Sequence, residues 1–193
     1  MVGPLTNPAS PTTCVIGVGR EETAKLMVET LRLQGVKAAM VVLGDKGLDE
    51  VGTPTFVISL RLNNTKTLKT TTKQISPEGA TQVWDLKDGE VSHRQVSSRD
   101  FGLTPFPLES VTGGDPHTNL GILKGLLDNV QSEYLDWVVM NTSALLVVNG
   151  KAASFEEGVS LARLAVSSGK AREVFDQFVH LTTQFHQKRP KTE

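Results

Sequence analysis

The sequence lacks the features that define disulfide-bonded and membrane proteins. It has a single cysteine, Cys14, which excludes an internal disulfide. Because Cys14 lies in an apolar stretch, we interpret it as a buried structural thiol in a reducing compartment. No run of roughly 18 apolar residues is present, and the N-terminus lacks the pattern of a targeting peptide. We therefore predict a cytoplasmic protein with no membrane partner.

An excess of charge of either sign is also lacking. Twenty basic and twenty-one acidic residues give a formal net charge of −1. A polyanion-binding protein usually carries a basic excess, so we predict no nucleic-acid partner. The 193 residues, 38% of them apolar, suffice for one well-cored globular domain.

The first third of the chain predicts strand, helix, strand. An apolar run at residues 15–18 precedes a helical pattern in which Ala24, Met27, Val28 and Leu31 share one face, and Gly35 marks the end of that helix. Residues 38–43 are apolar without alternation, which indicates a strand covered on both faces, as in a parallel sheet.

The rest of the chain predicts one hairpin and then helices. Asp88 and Gly89 form a turn dipeptide between two strand-like runs. Helices are then predicted from Asp115 as N-cap, through residues 135–148, after the capping pair Ser154 and Glu157, and beyond Gly169. The predicted fold class is α/β, a partial mixed and mainly parallel sheet flanked by helices, with a helical C-terminal half.

Residues 51–74 differ in character from their surroundings. They hold seven threonines and four basic residues, no acidic residue, and no sustained helical or strand period. A basic surface loop is the simplest explanation, but structureless loops of this length are uncommon inside compact domains. We therefore expect an atypical insertion here, with a retained intron as one origin.

The candidate chemistry lies in residues 44–50 (GDKGLDE), directly after the strand that ends near Leu43. Ligands of open parallel sheets bind beyond the carboxyl ends of the strands. Asp49 and Glu50 are hard oxygen donors suited to Mg²⁺ beside a phosphate. An isolated acidic pair in a loop is more often solvated or helix-capping, so both explanations stay open at this point.

Other candidate motifs have structural explanations. Gly17 and Gly19 lack the third glycine of a dinucleotide-binding loop, because Glu22 occupies that position, so we interpret them as a turn. The four histidines (His93, His117, His180 and His186) have no metal-like spacing. Phe155, Phe175 and Phe178 fall at helical spacing and are expected in the core.

Several segments, in this order, resemble anthranilate phosphoribosyltransferases. They are residues 3–8 (GPLTNP), 15–18 (VIGV), 44–50 (GDKGLDE), 100–103 (DFGL), 113–116 (GGDP) with Asn119, and 167–171 (SSGKA). The resemblance covers nearly all of the chain outside residues 51–74. It implies a glycosyltransferase that joins anthranilate to phosphoribosyl pyrophosphate in tryptophan biosynthesis.

The same resemblance assigns the site. It implies that Asp49 and Glu50 hold Mg²⁺ beside the pyrophosphate of the donor, and that Gly3 and Pro4 line the anthranilate channel. It also implies that residues 1–193 are the C-terminal part of the α/β domain. The glycine-rich donor loop and the helical N-terminal domain of the family would lie upstream of Gly3 and are absent from this sequence.

The absent donor loop and helical domain determine the activity and the oligomeric state that we expect of this chain, and two alternative functions stay open. A chain without the donor loop is expected to be inactive alone, and a homodimer of the family type is expected only where the helical domain is present. A pyrimidine nucleoside phosphorylase-like enzyme shares the fold but not the GLDE loop at residues 47–50. A non-catalytic relative that binds nucleic acid or a partner protein is the remaining alternative.

Overall fold

A computed structural model describes residues 11–44 and 74–187 of the chain. Their elements, in chain order, are β1 (Thr13–Gly17), α1 (Glu21–Leu33), β2 (Ala38–Gly44), β3 (Thr81–Lys87), β4 (Glu90–Val96), α2 (Pro116–Leu127), α3 (Glu133–Val148), α4 (Phe155–Ser167) and α5 (Lys170–Gln187). Two short 3-10 turns, Ser98–Phe101 and Leu108–Val111, connect β4 to α2. The predicted α/β class with a helical C-terminal half is confirmed.

The four strands form one mixed sheet in the order β1-β2-β3-β4. β1 and β2 are parallel, with Gly17 opposite Val42, whereas β2 pairs with β3 and β3 pairs with β4 in antiparallel fashion. Within the described residues, only one of the three strand pairs is therefore parallel, fewer than the sequence led us to expect. The unbroken apolar run of β2 predicted that both faces of the strand are covered, and residues 39–44 are indeed buried. Such a run does not fix the direction of the neighbouring strands.

The predicted hairpin is confirmed. Asp88 and Gly89 both adopt positive φ, 50° and 87°, as the two central residues of a tight hairpin turn require. Gly35, with φ of 74°, follows α1 where the sequence predicted a stop.

Helices cover both faces of the sheet. α1 packs on one face through Ala24, Met27, Val28 and Leu31, the four residues predicted from their spacing. α3 and α4 pack on the other face, where Met40 and Val42 of β2 join the larger core cluster. The two clusters are separated by the sheet, because alternate side chains of β2 point to opposite faces.

Individual side chains refine two expectations. Phe155 is buried and stacks on Phe101 with ring centroids 4.1 Å apart, as expected for a core residue. Phe178, also expected in the core, is instead 61% exposed, so that prediction was wrong. The spacing of apolar residues on α5 identified a helical face correctly, but no described element covers that face.

Within the described residues, no helix is long and apolar enough to cross a membrane.

Candidate functional site

The carboxyl ends of the two parallel strands lie at one edge of the sheet. β1 ends at Gly17 and β2 at Gly44, and antiparallel β3 begins beside them because Thr81 is the partner of Gly44. This edge is where ligands of open α/β sheets bind. The sequence placed its acidic loop directly after Gly44.

The chain re-enters this edge through residues 75–79, a loop held by many hydrogen bonds. The Ser76 N–H donates to Thr81 Oγ1 at 2.9 Å, and Thr81 is fully buried. Ser76 Oγ in turn accepts from the Gly79 N–H at 3.2 Å. The Pro77 carbonyl accepts from Ser98 Oγ at 2.8 Å, which ties the loop to the turn that follows β4. The loop is therefore fixed both to the sheet and to the next segment of the chain.

Two side chains of α3 hold the main chain of Ile75. The Ile75 N–H donates to Asn141 Oδ1 at 3.1 Å, and the Ile75 carbonyl accepts from Trp137 Nε1 at 2.9 Å. Asn141 Nδ2 donates to the Trp137 carbonyl at 3.0 Å, which orients the amide. Ile75 is completely buried, so its polar main-chain groups have no access to solvent. We name this arrangement the Ile75 anchor.

The carboxylate of Glu78 connects residues 75–79 to the segment that precedes α2. Glu78 Oε2 accepts from the Leu108 N–H at 3.3 Å, while the Phe106 N–H donates to the Pro77 carbonyl at 3.2 Å. The segment that leads toward α2 therefore rests on residues 77–78. The arrangement therefore fixes residues 75–79 to this edge of the sheet.

The predicted site residues lie outside the part of the chain that the structure describes. Gly3 and Pro4 precede residue 11, and Asp49 and Glu50 fall between residues 44 and 74. Their roles stay predictions. Among the described residues, no three His, Cys, Asp or Glu side chains converge as metal ligands.

The glycine pair, predicted to form a turn, instead spans the exit from β1: Gly17 is the last residue of the strand, and Gly19 lies in the bend that leads to α1. Val18, between Gly17 and Gly19, is fully buried and donates its N–H to the Val42 carbonyl at 2.9 Å. The segment therefore continues the sheet contact and then leads into α1.

The remaining reactive side chains have local structural roles. His93 stacks on Trp84 with ring centroids 4.7 Å apart, and His180 contacts Gln184 one turn along α5. Cys14 is half-buried, and this burial raises the pKa of its thiol, which lowers the fraction of reactive thiolate. Cys14 is less enclosed than expected, but it is suited to a structural role.

One signature motif also has a structural role. Asn119 accepts from the Gly114 N–H at 2.9 Å and donates to the Gly114 carbonyl at 2.8 Å. Asp115 accepts from the Thr118 N–H at 2.8 Å, and this bond lowers the pKa of the Asp115 carboxyl. The Gly-Gly-Asp-Pro stretch with Asn119 therefore builds the start of α2, as the predicted N-cap required.

A cavity of about 310 Å³ lies between α2 and α3 beside Gln74. Its walls are mainly apolar, and two of its polar side chains, Tyr134 and Asn141, are engaged within the chain. Tyr134 donates to the Thr112 carbonyl at 2.9 Å, and Asn141 belongs to the Ile75 anchor. The cavity therefore offers apolar contact rather than polar recognition.

Sequence reasoning missed the Ile75 anchor. The available signal was Asn141, one of four polar residues, with Asp136, Thr142 and Ser143, in the mainly apolar run of residues 135–148. Its partner is 66 positions away in sequence, so the signal marks an engaged polar group without naming what it binds.

Comparisons with a family model and with curated proteins point to the same family. The family model described as "Glycosyl transferase family, a/b domain" matches residues 1–72 and 57–172, two stretches that overlap inside the segment with atypical composition. A curated anthranilate phosphoribosyltransferase of Schizosaccharomyces pombe is 34% identical over 187 residues, which cover 95% of this chain and 46% of that protein. One from Methanobrevibacter smithii is 34% identical over 182 residues, covering 94% of this chain and 47% of that protein.

Solved structures agree on the fold. The anthranilate phosphoribosyltransferase of Saccharomyces cerevisiae in complex with PRPP and Mg superposes with a TM-score of 0.76 at 22% identity, covering 95% of this chain and 46% of that one. The enzyme of Thermus thermophilus gives a TM-score of 0.69 at 24% identity, covering 93% and 46%. The resemblance inferred from the motifs is confirmed, and the chain spans about half the length of the curated relatives it matches.

Proposed function

Because the chain belongs to the glycosyl transferase family, a/b domain, we propose that it is the C-terminal part of an anthranilate phosphoribosyltransferase. The observation that carries this proposal is the 34% identity to curated enzymes of that name along 94% to 95% of the chain. The reaction would transfer the phosphoribosyl group from phosphoribosyl pyrophosphate to anthranilate. It forms N-(5-phosphoribosyl)anthranilate and pyrophosphate, as a step of tryptophan biosynthesis in the cytoplasm.

Asp49 and Glu50 are proposed to hold Mg²⁺ at the donor pyrophosphate. They follow the last residue of β2, Gly44, by five and six positions, beyond the sheet edge where ligands are expected. Paired carboxylates suit a hard cation that keeps several waters and bridges to phosphate oxygens. The bound ion would supply positive charge that stabilises the departing pyrophosphate.

The chain's own contribution is positioning. In the proposed reaction the amine nitrogen of anthranilate bonds to C1 of the ribose, the bond from C1 to the pyrophosphate oxygen breaks, and the amine loses one proton. C1 gains positive character and the departing pyrophosphate gains negative charge before the new bond is complete, so Asp49 and Glu50 would contribute by holding a cation beside the leaving group. Gly3 and Pro4 are proposed to line the anthranilate side.

The remainder of the site is proposed to come from the half of the relatives that this chain does not match. The relatives are about twice as long as the matched region, since that region covers 46% to 47% of each. A family-type homodimer would require the helical domain of that other half. We expect small-molecule substrates and no nucleic-acid partner.

Residues 51–74 are proposed to be an insertion. The overlap of the two family matches inside this segment supports that proposal. The described residues on either side of residues 45–73 also lie close together, because Gly44 pairs with Thr81, whose hydroxyl accepts from the Ser76 N–H. Since the entropic cost of closing a loop grows slowly with its length, extra residues fit here without disturbing the sheet. Sequencing the spliced transcripts tests the intron origin: we expect transcripts that lack these codons, and the presence of the codons in every mature transcript would contradict that origin.

Reconstitution tests the activity. We expect the 193-residue chain to give no phosphoribosyl anthranilate alone, because it matches only about half of each relative. Mixed with the unmatched half of the S. pombe relative, it should consume anthranilate in the presence of phosphoribosyl pyrophosphate and Mg²⁺. The Asp49→Ala/Glu50→Ala chain is the matched control and should stay inactive in the same mixture.

The same mixture discriminates the alternative enzyme class. A pyrimidine nucleoside phosphorylase would release thymine from thymidine and phosphate. Thymidine phosphorolysis without anthranilate consumption would overturn the proposed function in favour of that class. Product formation by the unmixed chain would contradict the proposal that it holds only part of the site.

A further inference from the structure

The connection from β2 to β3 is longer than is usual in a compact domain. It runs over residues 45–80, and residues 51–74 within it show no sustained helical or strand period. Connections without helices or strands of their own are seldom longer than about 12 to 15 residues. Without residues 51–74 the connection would consist of residues 45–50 and 75–80 alone, which is an ordinary length.

The described ends of this connection lie close enough for the shorter path. Gly44 is the partner of Thr81 in the sheet, and Thr81 Oγ1 accepts from the Ser76 N–H at 2.9 Å. Neighbouring strands are about 5 Å apart, whereas residues 45–50 span up to about 20 Å when extended. These six residues therefore suffice to join Gly44 to Ile75.

The genetic code is consistent with a spliced junction at both ends of the excess segment. Every valine codon begins with GU, with which most introns begin, and the glutamine codon CAG ends in AG, with which most introns end. The segment begins with Val51 and ends with Gln74. Splicing at these codons keeps the reading frame and joins Glu50 directly to Ile75. The two family matches overlap at residues 57–72, inside the same segment.

In a chain joined in this way, the Ile75 anchor would hold the peptide group that follows the acidic pair. The Ile75 N–H, which donates to Asn141 Oδ1 at 3.1 Å, would belong to the peptide bond formed by the Glu50 carbonyl. The Ile75 carbonyl accepts from Trp137 Nε1 at 2.9 Å. Because Ile75 is fully buried, both bonds hold its main chain in one place against α3.

The acceptor of the anchor is itself oriented. Asn141 Nδ2 donates to the Trp137 carbonyl at 3.0 Å, which fixes the direction of the amide on the helix. Carboxylates on a loop bind a metal ion well only when the surrounding bonds hold the loop in the productive geometry. In the chain that contains residues 51–74, that whole segment separates Glu50 from the anchor.

We propose that Asn141, supported by Trp137, is a positioning residue for the acidic pair in a functional chain in which Ile75 follows Glu50 directly. This role rests on the proposed function, which assigns Asp49 and Glu50 to Mg²⁺ at the donor pyrophosphate. Asn141 acts through the main chain of Ile75 and does not touch the metal ion. Groups that orient metal ligands in this way change metal affinity by roughly 10-fold to 100-fold.

Calorimetric titration of phosphoribosyl pyrophosphate with Mg²⁺ tests the role in two backgrounds. One is the 193-residue chain, and the other is the same chain without residues 51–74. The shortened chain should bind more tightly, and Asn141→Ala should weaken its binding by roughly tenfold or more. In the 193-residue chain the same substitution should change the affinity little. A merely structural residue would act equally in both backgrounds, provided that circular dichroism shows all four proteins folded.

Two further variants of the shortened chain test the contact itself. Asn141→Asp keeps an oxygen that accepts from the Ile75 N–H, so it should bind the donor more tightly than Asn141→Ala. Thr142→Ala is the matched control, because the Thr142 hydroxyl is bonded to the Val138 carbonyl within α3, and it should leave the affinity unchanged. Equal losses with aspartate and alanine at position 141 would overturn the assignment of the acceptor.

The outcomes separate this inference from the proposed function. An unchanged affinity in the shortened Asn141→Ala chain would overturn the positioning role. A folded shortened chain that binds no donor would overturn the proposed function, and thermal melting would still decide the junction. The shortened chain should melt at or above the Tm of the 193-residue chain, because closing a shorter loop costs less entropy. A lower Tm would overturn the direct junction of Glu50 with Ile75.

Discussion

Replacing Asn141 by alanine should detach the loop that frames the candidate site. Asn141 Oδ1 receives the N–H of Ile75, a residue with no solvent exposure. Without that acceptor the N–H is buried and unpaired, which costs about 1 to 3 kcal/mol. Alanine is the better helix former by a few tenths of a kcal/mol, which offsets a small part of the loss. We expect a net decrease of about 2 kcal/mol in the free energy of unfolding.

Urea denaturation followed by tryptophan fluorescence measures this change. With an m-value of about 2 kcal/mol/M, the midpoint should fall by roughly 1 M. Thr142→Ala is the matched control on the same helix, since the Thr142 hydroxyl is bonded to the Val138 carbonyl within the helix and should change the midpoint little. Amide hydrogen exchange at Ile75 should accelerate only in the Asn141 variant. Equal midpoints for the two variants would refute the assignment of the Ile75 anchor.

Two further changes test packing and electrostatics. Gly158→Ala would place its Cβ 2.4 Å from Ser143 Oγ, so we expect about 1 to 3 kcal/mol of destabilisation by thermal melting, whereas Gly121→Ala, which has nothing within 4 Å, should be neutral or stabilising. The Ser97 N–H donates to Asp100 at 2.7 Å and lowers the pKa of that carboxyl. Because the pKa is depressed in the folded state, the contribution is present above the ordinary aspartate value of about 3.9 and is lost as the pH falls through the folded value. The stability advantage of the wild type over Asp100→Asn should therefore shrink in acid denaturation below about pH 4, and a constant difference would contradict the assignment.

Periodicity and turn chemistry predicted the local structure. The buried face of α1 follows from the spacing of Ala24, Met27, Val28 and Leu31, and the hairpin follows from Asp88 and Gly89. These features depend on neighbours within a few positions. They are therefore visible in a single sequence.

Long-range partners were not predictable in the same way. The direction of β3 relative to β2 and the contact of Asn141 with Ile75 depend on residues far apart in the chain. The exposure of Phe178 depends on which elements surround α5, and helical spacing alone does not supply that information. The motif at residues 113–116 was associated with a family, and the structure adds its local cause in the bonds of Asn119 to Gly114.

The structure does not describe the acidic pair, Asp49 and Glu50. Its assignment depends on the position of Gly44 at the end of β2 and on the resemblance to the family, while Asp49 and Glu50 themselves lie outside the described residues. The chemistry of the site is therefore a proposal that a binding experiment has to decide.

Calorimetric titration of phosphoribosyl pyrophosphate into the 193-residue chain tests this proposal most directly. We predict binding in the presence of Mg²⁺, none with EDTA, and none to the Asp49→Ala/Glu50→Ala variant at any Mg²⁺ concentration. Binding that is unchanged in the double variant would contradict the claim that the acidic pair forms the metal–phosphate site. The absence of any heat with the folded wild type would contradict the prediction that the acidic pair binds phosphoribosyl pyrophosphate with Mg²⁺ without the rest of the site.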